Sequence, residues 1–233
     1  TGASNVAVGR GALQTNTTAS NNTAVGDEAL FANTTGAQNS AFGHSSLQQN
    51  TTGQYNTGIG DFALYANTTG AQNTGVGYDA LKANTCGGCN TAVGKSALQA
   101  NTTGSYNTVA GKDAMFSNTT GCHNTASGYR ALLANTTGSQ NTAHGSYALT
   151  TNTTGCYNAA VGSSTLKNNT TGCYNNVVGA LALCMNTTGK GNNAFGTSSL
   201  RRNTTANYNT GLGVGVGLAA RRFGSPQQRI FEI

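Results

Sequence analysis

A seventeen-residue period runs through this chain for twelve units without insertion or deletion, and it restricts the fold more than any other feature. One unit reads Asn22-Thr-Ala-Val-Gly-Asp-Glu-Ala-Leu-Phe-Ala-Asn-Thr-Thr-Gly-Ala-Gln38, and the next opens at Asn39. With the unit numbered from 1 to 17, Asn fills position 1 from Asn5 to Asn209, and Gly fills position 5 from Gly9 to Gly213. Position 9 is Leu from Leu13 to Leu200, with Met115 the one substitution. Positions 12 and 13 are always Asn-Thr, from Asn16-Thr17 to Asn203-Thr204, and position 14 is Thr except at Cys86. Helical repeats need about 30 residues or more per unit. Seventeen suits one coil of a β-solenoid.

The expected coil has two short strands of about 5 residues each, joined by two corners. Position 4 (Val8, Val25, Phe42, Ile59) and position 9 (Leu) then supply one large apolar side chain per strand, with small residues at positions 3 and 8 filling the space between them. Gly at position 5 marks a corner with positive φ or close backbone approach. The Asn-Thr-Thr-Gly tract at positions 12–15 reads as the second turn. Coils stacked at about 4.8 Å place like over like, so each invariant Asn joins a ladder of amides that give and take hydrogen bonds. Positions 6, 7, 10, 11, 16 and 17 drift, and are expected to face solvent or partners. The fold class is therefore all-β: a parallel β-solenoid of about twelve coils, very roughly 60 Å long.

Composition removes the competitors. Charged residues make up 8% of the chain and Pro occurs once, unlike most disordered segments. The 30 Asn, 37 Thr and 33 Gly are poor helix formers. Collagen needs Pro at a Gly-X-Y spacing. No run of 18 apolar residues suggests a membrane span. The net charge of +6 gathers in Arg201, Arg202, Arg221, Arg222 and Arg229 rather than in a continuous stripe, which argues against nucleic acid as partner.

The opening segments Asn5-Val-Ala-Val-Gly9, Asn22-Thr-Ala-Val-Gly26 and Asn90-Thr-Ala-Val-Gly94 resemble the S/N-x-A-[VI]-G motif of trimeric autotransporter adhesin heads. The whole unit is similar to the Asn-Thr-Thr-Gly arrays of bacterial surface proteins and phage tail fibres. The resemblance covers residues 1–217 and implies a left-handed parallel β-roll, three chains about one axis, exposed at a cell or virion surface. The adhesin-head unit is shorter than this one, and no coiled-coil stalk or anchor follows in this sequence. Residues 218–233 read as a C-terminal cap or joint, in which Arg229-Ile-Phe-Glu-Ile233 alternates like one last strand. Open sheet edges at the ends of such a rod invite end-to-end pairing into a filament.

Reactive residues are few. Cys86 and Cys89 have the CxxC spacing, but no second pair completes a zinc site. Cys156 and Cys173 occupy position 16 of adjacent coils, within disulfide Cα range, so Cys156 with Cys173 and Cys86 with Cys89 are disulfide candidates, alongside a reading as free surface thiols. His44, His123 and His144 share no column, and the acids form no catalytic pair. No catalytic, metal or cofactor site is expected, and the chain reads as no enzyme. Asn-Thr-Thr is also a glycosylation sequon, at Asn16, Asn33, Asn50, Asn67, Asn101, Asn118, Asn135, Asn152, Asn169, Asn186 and Asn203. An inward Asn ladder is the better reading, because Asn84 persists where Cys86 interrupts the Asn-Thr-Thr run.

The expected function is structural and adhesive: an extracellular, rigid fibre segment that presents a multivalent polar surface and associates with itself. Its partners are copies of the chain and surface glycans or a receptor. Tyr55, Tyr106, Tyr157, Tyr174 and Tyr208 recur at position 17 as candidate ligand-facing residues. The alternatives are a self-assembling filament subunit and an ice-binding solenoid, the latter suggested by the Thr columns at positions 13 and 14.

Overall fold

The computed structural model describes residues 2–217 and 229–231. Fourteen strands form one sheet in strict chain order. They run from β1 (Val6–Val8) and β2 (Thr23–Val25) to β12 (Asn193–Phe195), then β13 (Asn209–Leu212) and β14 (Arg229–Phe231). All pairings are parallel, and up to β13 every residue partners the one seventeen positions on, as Ala7 does Ala24 and Val109 does Ala126. The repeat length is the register. The last pairing, Asn209 with Arg229, departs from it, and makes the expected terminal strand real as backbone. The rest of the proposed cap at 218–233 lies outside the described residues.

The coil differs from the expected one in two respects. Each coil contributes one strand rather than two, three residues at positions 2–4 in β1 to β12 and four at positions 1–4 in β13. Within that strand position 3 faces inward: Ala24, Ala41, Ala92, Val109 and Ala126 are buried. Because side chains alternate, positions 2 and 4 must face out. Phe42, Ile59, Val93 and Val178 are about two-fifths exposed (40%, 41%, 44% and 43%), so position 4 is not a core column. The core is Leu at position 9 with small residues at positions 3 and 8 around it.

The interior is narrow, and in two coils positions 8 and 3 trade volume. Ser46 and Ser199 replace Ala at position 8 and donate to the carbonyls of Gly58 and Gly211 at 2.9 and 3.0 Å. Position 3 of the following coil is Gly in both cases, and a Cβ on either would come within 2.6 or 2.7 Å of the hydroxyl. One added oxygen is matched by one removed methyl.

In place of a second strand, the chain from position 5 to position 12 makes consecutive turns. In the second coil Ala29 N–H donates to Gly26 O, Phe31 N–H to Glu28 O, and Asn33 N–H to Leu30 O. The intervening amides reach the neighbouring coils, Leu30 N–H to Ser46 O at 3.0 Å and Ala32 N–H to Gln48 O at 2.9 Å. The backbone donors of positions 7 to 12 are thus paired within the coil or with its neighbours, which is what allows Leu30 and Asn33 to be buried without being in a strand. The price is positive φ on ordinary residues: 54–59° at position 7 and 47–55° at position 9. Leu and Met tolerate this better than β-branched residues do.

Gly at position 5 is required twice over. Gly128 has φ +130°, and a Cβ there would sit 2.7–2.8 Å from the carbonyl carbon and oxygen of Gly145 in the next coil. Gly128→Val is expected to lose at least about 3 kcal/mol, whereas Tyr129→Ser, one residue on, should lose little. Leu132 is fully buried and Leu133 only partly. Leu132→Asn should therefore cost about 3 kcal/mol or more, from a cavity and an unpaired amide, and Leu133→Asn clearly less. Denaturant melts of the four variants check both pairs.

Candidate functional site

The side-chain chemistry of the interior is a double amide ladder. At position 12, Asn118 Nδ2 donates to Asn101 Oδ1 at 2.8 Å and to Gly121 O at 3.1 Å, while its Oδ1 accepts from Asn135 Nδ2 at 2.8 Å. At position 1, Asn124 Oδ1 accepts from the backbone N–H of Asn141 at 2.9 Å, and Asn124 Nδ2 donates to Gly138 O at 2.9 Å. Both ladders converge on the carbonyl at position 15: Gly121 O accepts from Asn118 and, at 2.9 Å, from Asn107. Beside them, Thr119 Oγ1 and Thr119 N–H both donate to Thr136 O, at 3.1 and 2.9 Å. A side chain here must accept along the rod in one direction and donate in the other while reaching a fixed carbonyl. Asn alone has that length and that pair of groups.

This geometry bears on the eleven sequons of position 12. Asn33, Asn50, Asn67, Asn101, Asn118, Asn135, Asn152, Asn169 and Asn186 are fully buried with both amide groups engaged, so a folded coil offers no place for a glycan on them. Only Asn16 and Asn203, in the first and last full coils, are partly open.

In this structure all six cysteines stand as free thiols. Cys173 Sγ is turned onto the backbone N–H of Cys156, at 3.2 Å, rather than toward its sulfur. Cys122 and Cys156 accept in the same way from Ser105 and Ser139, and Ser139 Oγ accepts from Cys122 at 3.0 Å. Position 16 is thus a hydrogen-bonding column in which Ser and Cys are interchangeable. Cys89 Sγ donates to Gln72 Oε1 at 3.1 Å, and Cys86 Sγ accepts from Thr85 Oγ1 at 3.9 Å.

The tyrosines at position 17 are exposed, as expected: Tyr55, Tyr106, Tyr157, Tyr174 and Tyr208 lie at 47–67%. Neighbouring rings stack along the rod. Tyr106 and His123 lie 4.9 Å apart and within 3° of parallel, and Tyr157 and Tyr174 lie 4.9 Å apart and within 9°. Among the described residues no cluster of three or more His, Cys, Asp or Glu is placed to hold a metal ion.

Two further surfaces bear on function, one read from the sequence as core and one at positions expected to face solvent or partners. The first is the outer side of the sheet, positions 2 and 4, where Thr runs beside aliphatic and aromatic residues. No Asp, Glu, Lys or Arg occurs at either position in any coil through β13. The second is the turn at positions 6, 7 and 10, which collects most of the charge. Arg10 meets Asp27 at 2.7 Å, Lys82 meets Asp79 at 3.0 Å, and Arg130 lies 3.6 Å from Asp113. Rings cluster here too, Phe62 packing edge-on to His44, Tyr65 and Tyr78. Partial burial holds the Tyr129 phenol above its ordinary pKa, with Arg130 opposing. A shallow groove of about 360 Å³ runs over Ala66, Ala83 and Ala100 between Tyr65 and Phe116. The signal for both faces was the column-by-column placement of charge.

No family model matches the chain, and neither a curated protein nor a solved structure matches it.

The ladder makes a pH-dependent prediction. Asn118→Asp puts a carboxylate against Asn101 Oδ1 and Gly121 O, two acceptors. Burial and these neighbours raise its folded pKa above the unfolded value of about 3.9. The folded state then holds its proton to higher pH, so stability relative to the parent is best below about pH 4. It falls as pH rises from there to the raised folded pKa, and is flat above. Melts of variant and parent at acid and neutral pH should show a deficit that widens toward neutrality.

Proposed function

We propose that the chain is a rod-like segment of a homo-oligomeric extracellular fibre, which joins copies of itself through the sheet face and presents its turns to an outside partner. The observation that carries this reading is the sheet face itself: apolar at position 4 in most coils, and free of charge along its whole length while charge gathers elsewhere. Depletion of charge marks the centre of protein interfaces, and a monomer rarely leaves so long an apolar strip in water. The strip is about 60 Å by about 10 Å, roughly 600 Å² of flat area per rod, near the roughly 800 Å² per partner of a stable interface.

In-register, parallel association suits the column best. The three rungs without a large apolar side chain, Ala110, Ser127 and His144, are consecutive. Parallel in-register packing sets them against one another while covering every other rung, whereas antiparallel packing centred on Ser127 leaves the first two rungs of each chain bare. The resemblance to adhesin heads adds the count, three chains about an axis parallel to the rods, and the surface location. The adhesive part of the reading rests on rigidity and repetition: weak contacts recurring on each coil and each chain sum to avidity. Catalysis has no part in it.

Val93→Lys and Val178→Lys together test the interface. Both side chains already face out, so the coil should keep its circular dichroism and its chain-level fold. Sedimentation should show the parent as an oligomer and the double variant as a monomer. A parent that stays monomeric at all concentrations overturns the reading.

A further inference from the structure

The turn ridge carries a regularity that self-association does not use. Five cations in six coils reach it, and each lies over an aromatic ring. Lys82 Nζ is 4.7 Å from the centre of Phe62, Lys95 Nζ 5.5 Å from Tyr78, and Lys112 Nζ 5.8 Å from Tyr129. The Arg130 guanidinium is 5.0 Å from Tyr129, and Lys167 Nζ 5.5 Å from Tyr147. Asp79 and Asp113 hold Lys82 and Arg130 in place, leaving Lys95, Lys112 and Lys167 exposed and without an acidic partner. The coils before Lys82 have the opposite balance, with Arg10 against Asp27, Glu28 and Asp61. The cationic run is therefore a feature of one stretch of the rod.

We infer that this ridge binds an acidic polysaccharide, a polymer with a carboxylate on its sugar rings. The inference deepens the adhesive reading above and rests on it, but it needs only the ridge, which lies off the sheet face. Three points favour this ligand. The coils advance by about 4.8 Å, close to the advance of a chain by one pyranose ring. An extended polyuronate along the ridge therefore passes Lys82, Lys95, Lys112 and Arg130 on four successive coils and Lys167 two coils on. The part of a ring not under a cation, as on Tyr78 at 48% exposed, supplies apolar surface for the C–H groups of those sugars. Single-stranded nucleic acid would instead need free ring faces for its bases, and these ring faces are covered by the protein's own Lys and Arg. Each contact is weak, on the order of 0.5–1 kcal/mol for an exposed pair, and rigid repetition adds them.

The test uses the full chain with polygalacturonate, neutral dextran and oligothymidylate as probes, and oligomer mass measured on the same samples. Polygalacturonate should bind at low ionic strength and be released near 1 M salt, where the screening length is about 3 Å. Lys95→Ser with Lys112→Ser should weaken binding about tenfold; Ser already stands at position 6 in Ser146 and Ser163, so the coil accepts it. Lys190→Ser removes a cation from position 16, off the ridge, and should leave binding unchanged. The inference is overturned by no binding, by equal binding of dextran, by preference for oligothymidylate, or by a Lys190→Ser loss matching that of a ridge lysine. Oligomer mass separates these outcomes from failure of the self-association reading, since a monomer can bind and an oligomer can fail to.

Discussion

Every coil of this protein is closed by side-chain amides that meet on one backbone carbonyl. A carbonyl such as Gly121 O accepts from Asn118 on one side and Asn107 on the other, and each of those amides is tied to its counterpart in the preceding coil. A buried amide left unpaired costs about 1–3 kcal/mol, so the ladder cannot tolerate gaps. Any residue other than Asn strands a donor, an acceptor, or both in its neighbours. That coupling makes positions 1 and 12 invariant, and fixes the length of the repeat: one residue more or less per coil would move the ladder out of step with the strand register.

With the interior assigned to amides, Leu and Ala, little apolar volume remains, and the larger hydrophobic residues are displaced to the outside. This reverses the usual relation between size and burial. Ala24 is buried while Phe42 is exposed, because the strand lies against a core only one Leu thick. The outer sheet face is then apolar without being core, and it carries no charge. The charge has gone to the turns, where long side chains lie along their neighbours' rings. A division of labour follows from the cross-section alone: one side suited to copies of the chain, the other to a polar partner.

Much of this was legible in the sequence. The period gave the fold class and the register, and the invariant Asn and Gly gave the ladders and the corner. The second strand was misread because apolar residues at positions 4 and 9 look like two strand centres when only spacing is considered. A contrary signal was present. Positions 7, 9 and 17 contain no Val, Ile or Thr in any coil, in a chain with 37 Thr. These are the non-glycine columns with φ near +50 to +60°, and β-branched residues avoid that region. Position 4 has Val and Ile freely, as an extended residue does. The stacking of Tyr157 on Tyr174 followed from shared column position, but the cation–ring contacts did not, because Lys82 and Phe62 occupy different positions of different coils. The curling of the turn from position 7 to position 10, which brings those columns together, was invisible without knowing where φ turns positive.

The central claim is that the Asn side chains at positions 1 and 12 are structural members of the coil, equal to its backbone. Hydrogen exchange of side-chain amides, followed by NMR with assigned Asn Nδ2 resonances, measures this directly. The account predicts that Nδ2 protons of internal asparagines such as Asn101, Asn107, Asn118 and Asn124 exchange as slowly as the strand N–H groups beside them, while those of the exposed Asn21 and Asn168 exchange freely. Fast exchange at the internal positions, with the strand amides still protected, would contradict it.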